Sequence, residues 1–385
     1  MNNYFKQLIE RFENNLKLYV GYPPNTLFDY SELYPLLKYP INNLGDAFEL
    51  KNPFSTHEYE VEVIKWFLRL YGLLDDQGWG YVTSGGTEGV IFGVWNGREK
   101  LTNPRLYFTD YAHYSIPKAG KLLGLEECMI KTDEKGEMDY QDFAEKLDPK
   151  RDALIVATLG STITSSIDNI AKIKRILGSQ RVNYYIHGDA AIDGMVLPFI
   201  KTDIPHTFKD GFDSISLSGH KIIGSPIPCG VVLAKQNYAA VDQFIDYVHN
   251  MDTTITGSRN GFAALILWYA IKKNGRVGFN QFIQESLTRA NTYLGNLQQQ
   301  GIHAWRFETS ISIILDKLPP ILMQKWRAPS NHSYTTLTAL PKLSPRMLQE
   351  FIDDILAYRK NPALFKPNTK LLYPVTTNEI KLDDI

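Results

Sequence analysis

The chain has few cysteines, almost no net charge and no long apolar run, and each shortage closes off a class of protein. Two cysteines in 385 residues, Cys128 and Cys229, cannot build a disulfide framework and fit a reducing cytoplasm. The balance of 41 basic against 42 acidic side chains gives a formal net charge of −1, so there is no basic excess to attract nucleic acid or an anionic membrane. The longest apolar run, Phe262 to Ile271, falls far short of the roughly 18 residues that a bilayer-spanning helix requires. Met1 to Glu10 scatters Lys6 and Glu10 among apolar residues and shows neither the charged start nor the apolar core of an export signal. No repeat, low-complexity tract, long linker or metal-ligand set stands out. The expectation is a cytoplasmic protein of two or three packed units, with no nucleic-acid, membrane or metal partner.

What is present is an alternation of two periodicities. Val61, Ile64, Leu68 and Tyr71 recur at helical spacing over Glu58 to Gly72, and Gly72 supplies a stop. Strand-like runs then follow at Arg105–Thr109, Asp152–Thr158, Tyr184–His187, Ser214–Leu217 and Gly230–Ala234. Helix-like segments such as Thr87–Lys100, Ile116–Leu123 and Asn169–Leu177 lie between most of them. Such alternation predicts an α/β layered domain with a largely parallel sheet. From Phe262 to about Gln300 the pattern is helical, then mixed, with Ser310–Leu315 a strand, which predicts a smaller C-terminal α+β domain. The polar stretch Lys366–Ile385 is expected to fray.

Chemistry gathers in a few short segments. In Ser218-Gly219-His220-Lys221 a lysine leads into the apolar, Gly/Pro-containing Ile222-Ile223-Gly224-Ser225-Pro226, a poor setting for a solvated cation and a good one for an amine that forms an imine. Asp189, 32 positions upstream in His187-Gly188-Asp189-Ala190-Ala191, ends a strand-like run, where an acid caps a helix or holds a proton on a heteroaromatic nitrogen. Together they are the two anchors that pyridoxal 5'-phosphate (PLP) requires. Thr83-Ser84-Gly85-Gly86-Thr87-Glu88-Gly89 follows Tyr81-Val82 and opens a helix, whose unpaired N–H groups can seat a phosphate. It has neither the lysine of a nucleoside-triphosphate loop nor the spacing of a dinucleotide fingerprint. His113, in Tyr111-Ala112-His113-Tyr114-Ser115, is either a satisfied histidine at a strand end or an imidazole stacked on a cofactor ring.

These segments, together with Thr256-Gly257-Ser258-Arg259-Asn260-Gly261, Gly21-Tyr22-Pro23 and Ile41-Asn42-Asn43-Leu44-Gly45-Asp46, resemble the group II PLP-dependent amino-acid decarboxylases, and within them the bacterial histidine decarboxylases, with plant serine decarboxylases close behind. The resemblance runs from about Gly21 to Tyr358. It implies PLP fold-type I, the aspartate aminotransferase-like architecture: a large domain with a mostly parallel seven-stranded sheet, a smaller C-terminal α+β domain, and a homodimer with shared active sites. The domains expected are residues 1–57 packing on the dimer partner, 58–270 binding PLP, and 271–385 as the small domain. Carried over by position, Lys221 is the imine lysine, Asp189 the partner of the pyridine nitrogen and His113 the stacked ring. Gly85, Gly86 and Thr87 form the phosphate turn, Ser218 and His220 add donors, and Thr162 lies by the ring's phenolic edge. Ser258 belongs to a stretch that reaches the neighbouring site and helps choose the side chain.

The resemblance has departures. Bacterial histidine decarboxylases carry asparagine in place of Ser84 and of Val90, histidine in place of Phe262, GTT-type residues at Gly160-Ser161-Thr162 and a Gly-Ala pair at Ser165-Ser166, and Ala47–His57 diverges. The cofactor apparatus is intact, whereas the segments that read the substrate side chain have changed. Decarboxylation of an L-amino acid, L-histidine first, is therefore expected. Another amino acid such as serine, or a PLP-binding protein without turnover, are the alternatives.

Overall fold

The computed structural model describes residues 2–21, 25–49, 53–236, 243–246 and 250–365. Backbone contacts divide the chain into two compact units, one of residues 23–288 with 307–311, the other of 1–22, 289–306 and 312–385. The larger is built on strands β1 (Gly78–Thr83), β2 (Arg105–Thr109), β3 (Glu126–Ile130), β4 (Ala153–Thr158), β5 (Tyr184–Asp189), β6 (Ser214–Ser218) and β7 (Gly230–Lys235). They form one seven-stranded sheet in the order β1-β7-β6-β5-β4-β2-β3. Only β7 runs antiparallel to its neighbours, and the other pairings are parallel. Every residue of β4, Ala-Leu-Ile-Val-Ala-Thr, is buried, as expected of a parallel strand covered on both faces.

The expected strands are all present, some extended by one or two residues. Within this sheet, the strand absent from the sequence expectation is β3: it lies at the sheet edge with Glu126 and Met129 exposed, so its short pattern carries little apolar signal. Helices α2 (His57–Leu70), α3 (Gly86–Lys100), α4 (Ser115–Leu122), α5 (Tyr140–Lys146) and α6 (Ile170–Ser179) connect or cover the strands. Asn169 starts α6 by accepting from the N–H groups of Ala171 and Lys172.

Helix α3 lies unusually close to the sheet. A Cβ at Gly86, Gly89, Gly93 or Gly97 would come within 3.0 Å of Ser218, Ser216, His187 and Leu154 respectively. That spacing of three, four and four residues draws a single stripe along the helix, and only glycine lets the backbone settle at this depth.

In the smaller unit, β8 (Ala304–Trp305), β9 (Ser312–Asp316) and β10 (Tyr334–Thr338) form an antiparallel sheet. Helices α8 (Pro320–Trp326) and α9 (Pro345–Lys360) bury Leu322, Trp326, Phe351 and Ile352 in one core with Ile313, Leu315 and Leu337. Helix α1 (Asn2–Leu16) belongs to this unit.

The units do not divide at residues 57 and 270. Residue 270 lies within α7 (Gly261–Gln299), and the textural change at Phe262 marks where that helix begins, not where the larger unit ends. Gly275, at φ 56° and ψ −171°, breaks α7 in a backbone region open to glycine alone. At the other end, residues 25–49 belong with the larger unit because Asn25 and Asn43 are bonded into it, as described below. Lys366–Ile385 lies outside the described residues.

Candidate active site

In an open sheet of parallel strands, ligands sit in the crevice beyond the carboxyl ends, and this sheet delivers its reactive residues there. Asp189 is the last residue of β5, buried at 5% exposure. Its neighbour β4 ends at Thr158, paired with Asp189, and on the other side Asp189 pairs with Ser216 of β6. The Asp189 side chain accepts from the Ala191 N–H at 3.2 Å, so it both closes a turn and stays fixed at the strand end. Lys221 lies three residues beyond the end of β6 and is only 6% exposed.

The loop that carries Lys221 is held from two sides. Gly219 N–H donates to the Cys229 carbonyl at 2.9 Å and Ser225 N–H to the Gly219 carbonyl at 3.1 Å. From far upstream, Asn25 N–H donates to the Lys221 carbonyl at 3.1 Å, and the Asn25 amide to the Ile222 carbonyl at 2.9 Å. The Tyr30 hydroxyl donates to the Ile223 carbonyl, also at 2.9 Å. Backbone groups that a loop would otherwise leave unpaired are thereby satisfied, and the amine is aimed by a fixed frame.

His113 follows β2 and is half-buried, with Nδ1 at 2.7 Å from the Ser115 hydroxyl. Burial pushes its imidazole below the ordinary histidine value. Asp189 works against that shift and Lys221 with it. His113, Asp189 and Lys221 lie at or shortly beyond the carboxyl ends of β2, β5 and β6, the same edge of the sheet.

The phosphate-turn residues lie at the start of α3. Gly85, Gly86 and Thr87 are half-buried, and Gly86 is pressed against the Ser218 hydroxyl, as the glycine stripe requires. The Glu88 carboxylate turns back to accept from the Ser84 N–H at 2.7 Å. His220 must donate Nδ1–H to the Cys229 carbonyl, 3.0 Å away, because a carbonyl can only accept. Its Nε2 can then donate only when the ring is protonated, a form that an adjacent phosphate favours.

A family model described as the pyridoxal-dependent decarboxylase conserved domain matches residues 41–316. The chain belongs to the pyridoxal-dependent decarboxylase family. It is 40% identical to a histidine decarboxylase of Morganella morganii over 349 residues, covering 88% of this chain and 92% of that one. A histidine decarboxylase of Vibrio anguillarum is 38% identical over 354 residues, 89% of this chain and 91% of the relative. Among solved structures, L-methionine decarboxylase from Streptomyces sp.590 in complex with L-methionine methyl ester superposes with a TM-score of 0.82 at 21% identity, covering 92% of this chain and 94% of the other. A sphingosine-1-phosphate lyase of Burkholderia pseudomallei gives 0.78 at 18% identity over 93% and 89%. The fold is therefore PLP fold-type I, and the cofactor of this decarboxylase is PLP.

The residues present fit that group. Nothing lies within 4 Å of the place where a Gly85 side chain would stand, leaving the α3 N-terminus open to a phosphate. A buried acid, Asp189, and a buried amine, Lys221, lie at and just beyond the ends of β5 and β6.

Thr162 lies in a tight loop after β4. Leu159 N–H donates to the Asp189 carbonyl at 2.8 Å, and Gly160 and Ser161 N–H groups both reach the Ser166 carbonyl. The Ser161, Thr164 and Ser166 hydroxyls bond among themselves, leaving Thr162 and Ile163 half-buried where most of the loop is buried. Asp168 closes the loop, accepting from Thr158 N–H at 2.8 Å, and burial pushes its carboxyl up to about 7. Ser165 is strained: φ is 57° and its hydroxyl is buried with no hydrogen-bond partner.

Ser258 is exposed on the outer face of its segment. Of the departures from the histidine decarboxylase pattern, Val90 is packed in the apolar layer with Val94, Leu106 and Ile116, so its exchange bears on how α3 seats. Phe262 is buried at the start of α7, and Ser84 is exposed at the phosphate turn.

Sequence reasoning missed the supports. His187 is fully buried, with Nδ1 at 2.7 Å from the Ser214 hydroxyl and Nε2 at 3.1 Å from that of Ser216, and burial pushes its imidazole down to about 3. It is a neutral bridge locking β5 to β6 just before both strands deliver Asp189 and Ser218. The glycines at 86, 89, 93 and 97 were the available signal, since their stripe faces this layer. The Asn25 and Tyr30 clamps left none, being nearly 200 residues from their acceptors.

Proposed function

We propose that this decarboxylase converts L-histidine to histamine and carbon dioxide, acting as a cytoplasmic homodimer with shared active sites. The observation that carries the reading is the placement of Lys221, Asp189 and His113 at or just beyond the strand ends of a chain 38–40% identical to histidine decarboxylases over nearly nine-tenths of its length. No described helix is long and apolar enough to cross a membrane.

PLP, when bound, supplies an electron sink for the pair that the departing carboxylate leaves behind. Lys221, buried beyond the end of β6, would hold the cofactor's aldehyde carbon through Nζ and yield that place to the substrate amine. Asp189, buried at the end of β5, would keep a proton on the pyridine nitrogen through a charge-assisted bond. His113 would stack on the ring and fix its plane. The Gly85, Gly86 and Thr87 N–H groups, with Ser218 and His220, bind the phosphate and stop the ring from turning. Thr162 would lie at the phenolic edge. Orientation is the remaining contribution, because the Cα–carboxylate bond breaks readily only when the site holds it perpendicular to the ring.

The deciding measurement is kcat/KM for histidine, serine, glutamate, tyrosine and methionine. Histidine is expected to exceed the others by about tenfold or more, roughly 1.4 kcal/mol of transition-state preference. A better substrate elsewhere in the panel overturns the choice of histidine and leaves the decarboxylase class standing. For the dimer, Lys221→Ala mixed and refolded with Ser258→Trp should regain activity through hybrids with one intact site. An active monomer by light scattering would refute sharing.

A further inference from the structure

Strand β1 is an edge of the sheet, and a buried polar cluster closes over its open side. Glu60 on α2 is fully buried. Its carboxylate accepts from Val82 N–H of β1 at 2.8 Å and from the Asn43 amide at 2.6 Å, and it forms an ion pair with Arg259. Arg259 donates a second guanidinium N–H to the Gly45 carbonyl at 2.8 Å and lies 5.3 Å from the Tyr81 ring centroid. One carboxylate thus joins α2, the Asn43–Asp46 segment, the strand that leads into the phosphate turn, and the residue after Ser258.

The ends of the turn around Arg259 are tied by single hydrogen bonds, from the Thr254 hydroxyl to the Thr256 carbonyl at 2.8 Å and from the Thr56 hydroxyl to the Gly261 carbonyl at 2.9 Å. Ser258–Arg259 pairs antiparallel with Asn43–Leu44, a ladder of two residues that no sheet extends. Asn42 braces it, accepting from Arg259 N–H at 3.1 Å and donating to the Ser258 hydroxyl at 3.1 Å. Residues 255–260 are exposed except Arg259, which points inward while Ser258 and Asn260 point outward. An apolar pair of similar volume would fill the space at no greater cost than two desolvated charges. What a forked guanidinium adds is a fixed direction.

We propose that the Glu60–Arg259 pair is a positioning device that sets how far the Thr256–Gly261 turn reaches into the neighbouring subunit's active site, and ties that reach to the strand bearing its own phosphate turn. This rests on the shared-site reading of the dimer. The effect of the pair then falls in trans: a chain with a loosened Arg259 impairs the site whose Lys221 belongs to the other chain.

The test uses Arg259→Lys, which keeps the charge and loses the fork. In the homodimer, KM for histidine and the Kd of unreactive histidine methyl ester, read from cofactor absorbance, should both rise about tenfold, with kcat and PLP affinity changed less than about threefold. Two differentially tagged hybrids then assign the direction. With Lys221→Ala and Arg259→Lys on one chain and wild type on the other, the single working site receives the loosened turn, and KM should stay high. With Arg259→Lys on the chain that supplies Lys221, and Lys221→Ala alone on its partner, KM should return to the wild-type value. A defect that follows the Lys221 chain, or equal KM in both hybrids, would overturn the proposal while the dimer stands. An active monomer would instead overturn the shared-site reading beneath it. Should Arg259→Lys fail to fold, Asn42→Ala removes the two outer braces, and the same trans pattern, smaller in size, is required of it.

Discussion

Beneath α3 the larger unit sets glycines against serines and a histidine, whereas the smaller unit fills its core with Leu297, Ile313, Leu315, Leu337, Trp326 and Phe351. The apolar core is held by area, and a lost methyl group leaves a void whose cost depends on how neighbours relax. The layer under α3 is held by distance. Gly86 meets Ser218, Gly89 meets Ser216 and Gly93 meets His187, and two of those partners lie immediately beside Asp189 or in the lysine loop's stem. One region supplies stability, and the other supplies the accuracy with which the cofactor's phosphate and ring nitrogen are met. The site's precision thus rests on the layer below it, where Gly89 against Ser216 and Gly93 against His187 continue the stripe that begins at the phosphate turn.

The largest effect that would sharpen this contrast is expected from Asp189→Asn. An amide cannot hold the ring proton, so turnover should fall by about three orders of magnitude or more while PLP still binds. Steady-state rates on the PLP-loaded variant decide it, and near wild-type turnover would remove Asp189 from the chemistry.

Gly93→Ala and Leu315→Ala then set the two regions against each other. The added methyl at Gly93 has no space beside His187, so a loss of about 2–3 kcal/mol in stability should come with weakened PLP binding. Leu315→Ala should cost about 2–5 kcal/mol from the smaller core. PLP affinity and kcat of its folded fraction should not move. Urea melts with absorbance titrations separate them, and a Leu315 variant that loosens PLP as much as the Gly93 variant breaks the comparison.

The smallest effect concerns pH. Burial raises the Asp168 carboxyl from its ordinary 3.8 to about 7 in the folded chain. Between those values the unfolded carboxyl is ionised and the folded one is neutral, so folding takes up a proton. Stability from this group is fully present below about pH 4 and is lost as the pH rises through about 7. Asp168→Asn, neutral throughout and still able to accept from Thr158 N–H, should flatten the fall in Tm between about pH 4 and 7. Parallel slopes for the two proteins would exclude Asp168 as the source.

Much of this was legible in the sequence because it is local. Strands such as Ala153–Thr158 announce themselves by continuous burial, Asn169 marks the start of α6, and Lys221, Asp189 and the Gly85-Gly86 turn stand in short motifs. The remainder is long-range. Arg259 and Glu60 lie 199 residues apart and Tyr30 and Ile223 lie 193 apart, and no local periodicity connects them. Gly275 was hidden for a different reason: helical spacing resumes on both sides of it, so a one-residue break leaves the pattern intact. Strand β3 was hidden by its exposure at the sheet edge.

The glycine stripe also orders events in time. A 15-residue helix with four glycines gives up about 1 kcal/mol of helix propensity at each, against a nucleus already unfavourable in isolation, so α3 has no independent existence before the sheet it lies on. The surface that receives the phosphate therefore forms only together with the sheet beneath α3. Capture of the cofactor becomes a receipt for finished folding, and a chain whose β5–β6 layer is incomplete carries no cradle with which to hold it.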